Sequence, residues 1–514
     1  MTVATDPDRS RGGGLVRQSA ITGIVAIAGV ASGFALDLAW WHRLGLGDAT
    51  DAVALALRLP VALAAVVVVL GSQVLVPTFT TWSATRTRAE DARATAGVLV
   101  CFVAAAAALA LLIVLGARPL MYLLSPDWSA AKLDAAAALT RVLAAYVPCL
   151  AAAEVFRSWL TARLVIGPPA MMSLLLNVTG LPIVVWGPAQ ITTVGIAYLA
   201  GALVQVLAMA AIARHHGWTP ARPSLRDPAV RHTLALAVRP GVGAGMNPLM
   251  RLIEGIVVSF LPVGSATFIH YGNRLTSALG GTVVFRSVMV ALVPRLAGAA
   301  AAGDVRSLAD LTRRGVRLLS YLSVPMTTLG VVLAPAVTTL VFGLGGAAGS
   351  SRLGWLMAIY ALSFAGSGLQ RALLAPFYAL RDTRTPLRNT AYGLIANAGL
   401  LLGLYPLAAG SPDAIAVVPA AYTIAQYVNV VHAWWRVRRL PGLAATGSAR
   451  AVAGSLLPGL LGAGTAWLVL WTGGRPHQGV VVVLACVAGV GVSAGLGLLA
   501  LRRSPARWAI SDDP

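Results

Sequence analysis

The chain has 514 residues, 58% of them hydrophobic and only 11% charged, with a mean hydropathy of +0.78 and a formal net charge of +21. A soluble domain carries about 25% charged residues, so a soluble globular protein is excluded. The basic residues sit in short loops between apolar runs, which reads as membrane orientation and not as nucleic-acid binding.

The N-terminal tail, 1–18, is polar, and the first apolar run lacks a small-residue cleavage site, so it is expected to be a retained helix. Apolar runs of about twenty residues then recur at 19–41, 52–80, 94–116, 135–160, 168–187, 191–213, 236–262, 265–293, 314–340, 353–379, 387–409, 412–434, 450–472 and 478–501. The pattern predicts an all-α polytopic membrane protein of about fourteen spans. Arginines concentrate in alternate loops: Arg86, Arg88 and Arg93; Arg214, Arg222, Arg226 and Arg231; Arg306, Arg313, Arg314 and Arg317; Arg381, Arg384 and Arg388; Arg436, Arg438 and Arg439. Both tails, 1–18 and 502–514, share that bias, which predicts cytoplasmic termini. Cys101, Cys149 and Cys486 stand alone in apolar runs, with neither metal spacing nor a disulfide framework.

The chain also repeats itself. GDAT at Gly47 opens a segment that passes Arg58-Leu59 and closes at Val76-Pro77. GSAT at Gly264 opens one of equal length that passes Arg274-Leu275 and closes at Val293-Pro294. The two segments are six spans apart and run in the same direction. Two six-helix lobes, 19–213 and 236–440, are therefore expected around a pseudo-two-fold axis along the membrane normal. A linker at 214–235 joins them, and two extra helices occupy 441–501.

The seventh and eighth spans hold charges where a lipid-facing helix should have none: Arg251 and Glu254, then Arg274 and Arg286. An ionisable group at the bilayer centre costs roughly 2.5–3.5 kcal/mol on insertion scales and marks a water-filled cavity or a partner. Asn247, Arg251 and Glu254 recur at i, i+4 and i+7 and share one helix face. Arg58 reaches similar depth in the second span. Guanidinium groups stay charged at any physiological pH, so Arg274, Arg251, Arg58 and Arg286, with Asn247 and Glu254, are the candidate substrate-binding set. Structural alternatives stand beside these roles: Glu254 as a neutralising partner of Arg251 or Arg274, Arg286 snorkelling to headgroups, and, for the acidic residue Asp51 at the entry to the second span, a helix cap. Asp37, Asp51 and Arg43 fall near one mouth, Arg381 and Arg384 near the other, as candidate gate residues. Pro240, Gly241, Gly243, Gly245 and Pro248 interrupt the seventh span and are the candidate hinge; close helix packing through small residues is the alternative. Asn389, Asn397, Thr423 and Gln426 are a weaker candidate sodium set, without a carboxylate. His432, Trp434 and Trp435 read as an interfacial anchor.

GFALD (Gly33 to Asp37), GLGDATDAVALALRLP (Gly45 to Pro60), HYGNRL (His270 to Leu275) and APFYALRDTRTP (Ala375 to Pro386) together resemble the MurJ/MviN family of lipid II flippases, of the multidrug/oligosaccharidyl-lipid/polysaccharide exporter superfamily. The resemblance implies alternating-access movement of an undecaprenyl-pyrophosphate-linked peptidoglycan precursor, in the bacterial cytoplasmic membrane, from inner to outer leaflet. It implies cavity arginines in the first two helices, and this chain has Val30, Leu36 and Ala64 at the matching positions. Arg274 and Asp51 match the family pattern.

The leading expectation is a transporter, not an enzyme, whose substrate is a polyprenyl-linked glycan lipid: lipid II or a related wall or polysaccharide unit. Membrane lipids surround it, cell-wall synthesis proteins are candidate partners, and nucleic acid is not one. No cofactor is expected. Without a nucleotide-binding motif, the energy source is expected to be a sodium or proton gradient or the membrane potential. Three other readings compete. A cation-coupled multidrug exporter would need an acidic cavity. A lipid-carrier glycosyltransferase would need acidic residues in a large outer loop. A transport-inactive scaffold for wall synthesis would fit the missing first-lobe arginines.

Overall fold

The computed structural model describes residues 25, 28–45, 47–165, 167–276, 284–342, 347–380, 382, 384–411, 413–443, 447–473 and 479–502. Every regular element among them is helical. Helix α1 (28–44) leads through Gly47 into α2 (Asp48–Leu70), which passes through a π-helical turn, Gly71–Leu75, into α3 (Val76–Thr85). Next come α4 (Arg88–Leu115), the short α5 (Ala117–Leu124), and the consecutive α6 (Ala130–Ala144) and α7 (Tyr146–Ala162). The single-turn α8 (Gly167–Ala170), α9 (Met172–Trp186), α10 (Ile191–His215) and α11 (Pro228–Ser259) follow. The remainder comprises α12 (Ser265–Thr276), α13 (Val284–Ala301), α14 (Val305–Phe342), α15 (Ala347–Ala361), α16 (Ser363–Ala379), α17 (Arg384–Ala408), α18 (Val417–Val437), α19 (Ser448–Thr472) and α20 (Gly479–Arg502).

Local chemistry sets several boundaries. Thr87 and Glu90 form a reciprocal capping box that starts α4, with Glu90 Oε2 accepting from Thr87 N at 3.0 Å. Asp227 caps α11 by accepting from Ala229 N, and Pro228 takes the first helical position, where its missing N–H is harmless. Gly264, at φ +91°, makes the turn between α11 and α12 that a side chain would strain.

Nine helices among the described residues, counting α2–α3 and α6–α7 as continuous, are long and apolar enough to cross a membrane. Within the described residues, each apolar run expected from the sequence falls on a helix or on consecutive helices, as the tenth does on α15 and α16. Large side chains such as Leu112, Leu115, Trp186, Leu407 and Val480 stand exposed along these helices. That is stable against lipid tails and unfavourable in water. The chain is thus a multi-pass, all-helical membrane protein.

The helices form two compact units, Met1–Thr267 and Phe268–Pro514. In the first, α10 packs on α9 and α7, and both α6 and α11 pack on α2. Phe79, Trp82, Phe102, Phe156 and Trp159 fill one part of its core. A Cβ at Gly201 would collide with the Leu176 backbone, so glycine there permits the close approach of α9 and α10. Arg86 bridges to Asp227 at 2.8 Å, tying the end of α3 to the start of α11, and Arg163 pairs with Asp91, tying α7 to α4. In the second unit, α14 packs against α13, α15, α16 and α19, while α18 joins α16 to α17 and α20 lies on α19.

The packing boundary differs from the one read from the repeat. The sequence starts the second lobe at residue 236, whereas α11 packs with α2, α4 and α5 inside the first unit.

Candidate translocation site

Gly47 and Thr50 start α2: Thr50 Oγ1 accepts from Gly47 N at 3.1 Å and donates to Gly47 O at 2.9 Å. Asp51 is thereby released from capping and points elsewhere. Its carboxylate is 2% exposed and takes four donors. Oδ2 accepts from Lys132 Nζ at 2.9 Å and Gly264 N at 2.7 Å; Oδ1 accepts from Thr267 N at 3.0 Å and Thr267 Oγ1 at 2.7 Å. Lys132 also reaches Asp48 at 2.8 Å and lies 4.1 Å from the centre of the Trp128 ring. A buried carboxylate is tolerable when its lone pairs are filled by charged and backbone donors, and here they are. The two motifs read as duplicates therefore meet: the GDAT-D segment holds the GSAT segment through Asp51.

Deeper along α2, the Arg58 guanidinium lies against Gly255 of α11, where a Cβ would overlap Arg58 Nη1. Glu254, next to Gly255, is 2% exposed. The structure thus brings Arg58 to the α11 face expected to carry the site. The side chains of Asn247, Arg251, Arg274 and Arg286 lie outside the described residues, as do those of Gly243 and Pro248; Arg381 lies outside them entirely. Helix α11 is continuous from Pro228 to Ser259, with Pro240, Gly241 and Gly245 of the candidate hinge inside it.

Of the residues expected at the first mouth, Asp37 is buried and accepts from Trp40 Nε1 at 3.4 Å and Tyr198 OH at 3.3 Å. Arg43 donates to the Gly187 carbonyl at 2.6 Å. In the loop before α17, Asp382 accepts from Arg384 N, Thr385 N and Thr385 Oγ1, and Arg436 donates to Thr385 Oγ1 at 3.2 Å. Partial burial works against the Asp382 carboxylate, but these donors hold it below the usual carboxylate range. Arg384 itself is exposed.

In the second unit the HYGNRL motif lies on α12. Tyr271 is fully buried, and the Tyr360 ring fills the space a side chain at Gly272 would need. Tyr360 meets Tyr422 of α18 edge-on at 5.8 Å. Of the weak sodium set, Asn389 accepts from Gln370 Nε2 and donates to the Asn429 carbonyl, while Thr423 donates to Ile359 O.

A charged pair, Glu154 with Arg157, and a further arginine, Arg371, escaped the sequence reading. Glu154 of α7 is 1% exposed, accepts from Arg157 Nε at 2.6 Å and also pairs with Arg157 Nη2. Its carboxylate fills the space beside Gly71, the first residue of the π turn, where a Cβ would overlap Glu154 Oε1. Arg371 of α16 is exposed, and its guanidinium carbon lies 5.9 Å from the centre of the Phe285 ring. The signal for both was on the page: charges inside the fourth and tenth apolar runs, the criterion applied to the seventh and eighth.

A model of the lipid II flippase MurJ family matches residues 42–485. A probable lipid II flippase MurJ of Rhizobium meliloti (strain 1021) is 29% identical over 215 residues, covering 41% of this chain and 40% of that one. Another, from Bdellovibrio bacteriovorus, is 25% identical over 304 residues, covering 57% and 58%. These alignments therefore span less than two thirds of the curated relatives. Among solved structures, a lipid II flippase MurJ in an inward closed conformation superposes with a TM-score of 0.75 at 16% identity, over 95% of this chain and 99% of that one. An inward-facing multidrug resistance MATE family transporter of the MOP superfamily gives 0.68 at 15% identity, over 82% and 99%. At such identities the structural likeness speaks for the fold alone. The family model, spanning most of the sequence, decides the matter: this chain belongs to the lipid II flippase MurJ family.

Proposed function

We propose that the chain moves lipid II, or a closely related polyprenyl-pyrophosphate-linked saccharide, from the inner to the outer leaflet of a bacterial cytoplasmic membrane by alternating access. Both termini lie in the cytoplasm in this reading. One observation carries it: a guanidinium, Arg58, held inside a membrane-length helix against Gly255 of α11, the helix that also buries Glu254, in a chain of the MurJ family. A lipid-facing helix would not keep such groups. A pyrophosphate headgroup supplies the negative charge they can hold. Asp51, Lys132, Gly264 and Thr267 form a clasp at the start of α2, and opening that clasp is the gating step of this proposal. An ion gradient or the membrane potential drives the cycle; moving one charge through 100 mV releases about 2.3 kcal/mol.

The test has two arms. Purified protein in vesicles carrying lipid II is assayed for flipping, and the gene is placed in a flippase-depleted bacterial strain. Arg274→Ala is expected to abolish flipping while the protein still inserts and melts normally. Full activity of that variant removes Arg274 from the site. Failure of the unmodified protein in both arms rejects the flippase reading and leaves a scaffold; protection against toxic cations instead would identify a multidrug exporter.

A further inference from the structure

Arg371 sits midway along α16, a helix enclosed by α13, α14, α15, α17 and α18. Twelve of its residues are buried, including Gly368, Leu369, Ala372 and Ala375 around Arg371. A helix so surrounded has no broad face for lipid, yet Arg371 is exposed. A guanidinium left bare in hydrocarbon is not sustainable, so an exposed arginine on such a helix calls for water or a polar ligand. Phe285 lies under its edge, and the hydroxyls of Tyr378 and Tyr422 are within electrostatic reach. Tyr378, two turns along, is exposed on the same face.

What sets Arg371 apart is its charge balance. Lys132 is matched by Asp48 and Asp51, Arg157 by Glu154, and Arg163 by Asp91. Arg371 makes no hydrogen bond or ion pair among the described residues. Gln370 beside it is committed to Asn389, so that side chain stiffens α16 without answering the charge. An exposed cation with no carboxylate partner among the described residues is suited to receive an anion, and the planar fork of arginine suits a phosphoryl group.

We infer that Arg371 is an anion-binding residue of the second unit, taking a phosphoryl group of the substrate headgroup between Phe285, Tyr378 and Tyr422. That the phosphoryl group belongs to a lipid carrier rests on the flippase reading; that the site takes an anion rests on Arg371 and its surroundings.

The test uses the full chain in phosphatidylcholine nanodiscs, with inorganic pyrophosphate as titrant in calorimetry and lipid II flipping measured in parallel. Arg371→Gln is expected to weaken pyrophosphate binding about tenfold or more, the loss of one charge-assisted contact. Arg371→Lys, which keeps charge but not the fork, should fall between. Matching thermal melts establish that each variant is folded, and Arg371→Lys carries the comparison if Arg371→Gln does not fold. Unchanged pyrophosphate binding in both variants, or none by the unmodified protein, overturns the inference. Normal flipping by Arg371→Gln also overturns it and leaves the flippase reading intact. Pyrophosphate binding that depends on Arg371 in a protein that does not flip lipid II supports the site and rejects the flippase.

Discussion

Replacing Asp51 by asparagine tests whether the clasp holds α2 to the α11–α12 turn. The substitution keeps shape but removes charge and turns one acceptor into a donor. Asp51 takes donors on both oxygens, Lys132 and Gly264 on one and Thr267 on the other. In either amide orientation, an N–H then faces an N–H donor. Lys132 retains only Asp48, whose side chain is 65% exposed and a weaker partner. Leaving a buried donor unsatisfied costs about 1–3 kcal/mol, and removing one partner of a buried ion pair about 3–5 kcal/mol. With Asp48 offsetting part of the second term, Asp51→Asn should destabilise the first unit by about 3 kcal/mol. For a unit of this size that corresponds to a fall of roughly 6 °C or more in melting midpoint. The assay is thermal unfolding of the detergent-solubilised protein, with Asp51→Asn, Thr267→Val and the double variant forming a cycle. The two changes should couple by about 1 kcal/mol or more. A midpoint within a degree of the parent, or strict additivity, would refute the clasp.

Gly71→Ala should destabilise by about 1–3 kcal/mol, because the new methyl meets the Glu154 carboxylate in a packed site. Most of that penalty should vanish in a Glu154→Ala background, and melting of the four proteins checks it. The Arg86–Asp227 bridge predicts a pH effect at the membrane edge. The Arg86 guanidinium holds the Asp227 carboxyl below its usual range, so the folded state favours the charged form. The contribution is present above the unfolded value of about 3.9 and is lost as pH falls through the folded one. Asp227→Asn should lower stability by at most about 1 kcal/mol near neutrality, since both groups are a fifth exposed. That difference should shrink as the pH falls below the unfolded value and through the lowered folded one, and melts of both proteins from neutrality into the acid range decide the point.

These results would also separate local from long-range roles. Arg86, Glu90 and Asp91 lie together where α3 meets α4, and Arg163 packs 3.7 Å over the Trp159 ring beside Asp91. Such partly exposed pairs order an end of the unit and contribute little each. The Asp51 clasp and the Glu154–Arg157 pair are buried, so their removal is costly even where their net stabilisation is small.

Much of the architecture follows from the amino-acid order alone. Charge deficit and run length mark each span because the hydrocarbon core rejects charge and demands internally satisfied backbone, which are local properties of a segment. The depth of Arg58 and Glu254, the twin GDAT and GSAT openings, and the family motifs are likewise written along the chain. Asp51 shows the limit. Its partner Gly264 lies 213 residues away, and no periodicity announces that a carboxylate at the start of α2 will collect donors from α6 and α12. The burial of Glu154 against Gly71 is of the same kind, since it needs a π turn on one helix and a charged pair on another at the same height. So is the place of α11: its hydropathy is that of any span, and only its fit against α2 puts it in the first unit. Hydrophobicity is additive along a segment and survives in one dimension, whereas the identity of a hydrogen-bonding partner depends on where distant segments come to lie, which tertiary packing alone decides.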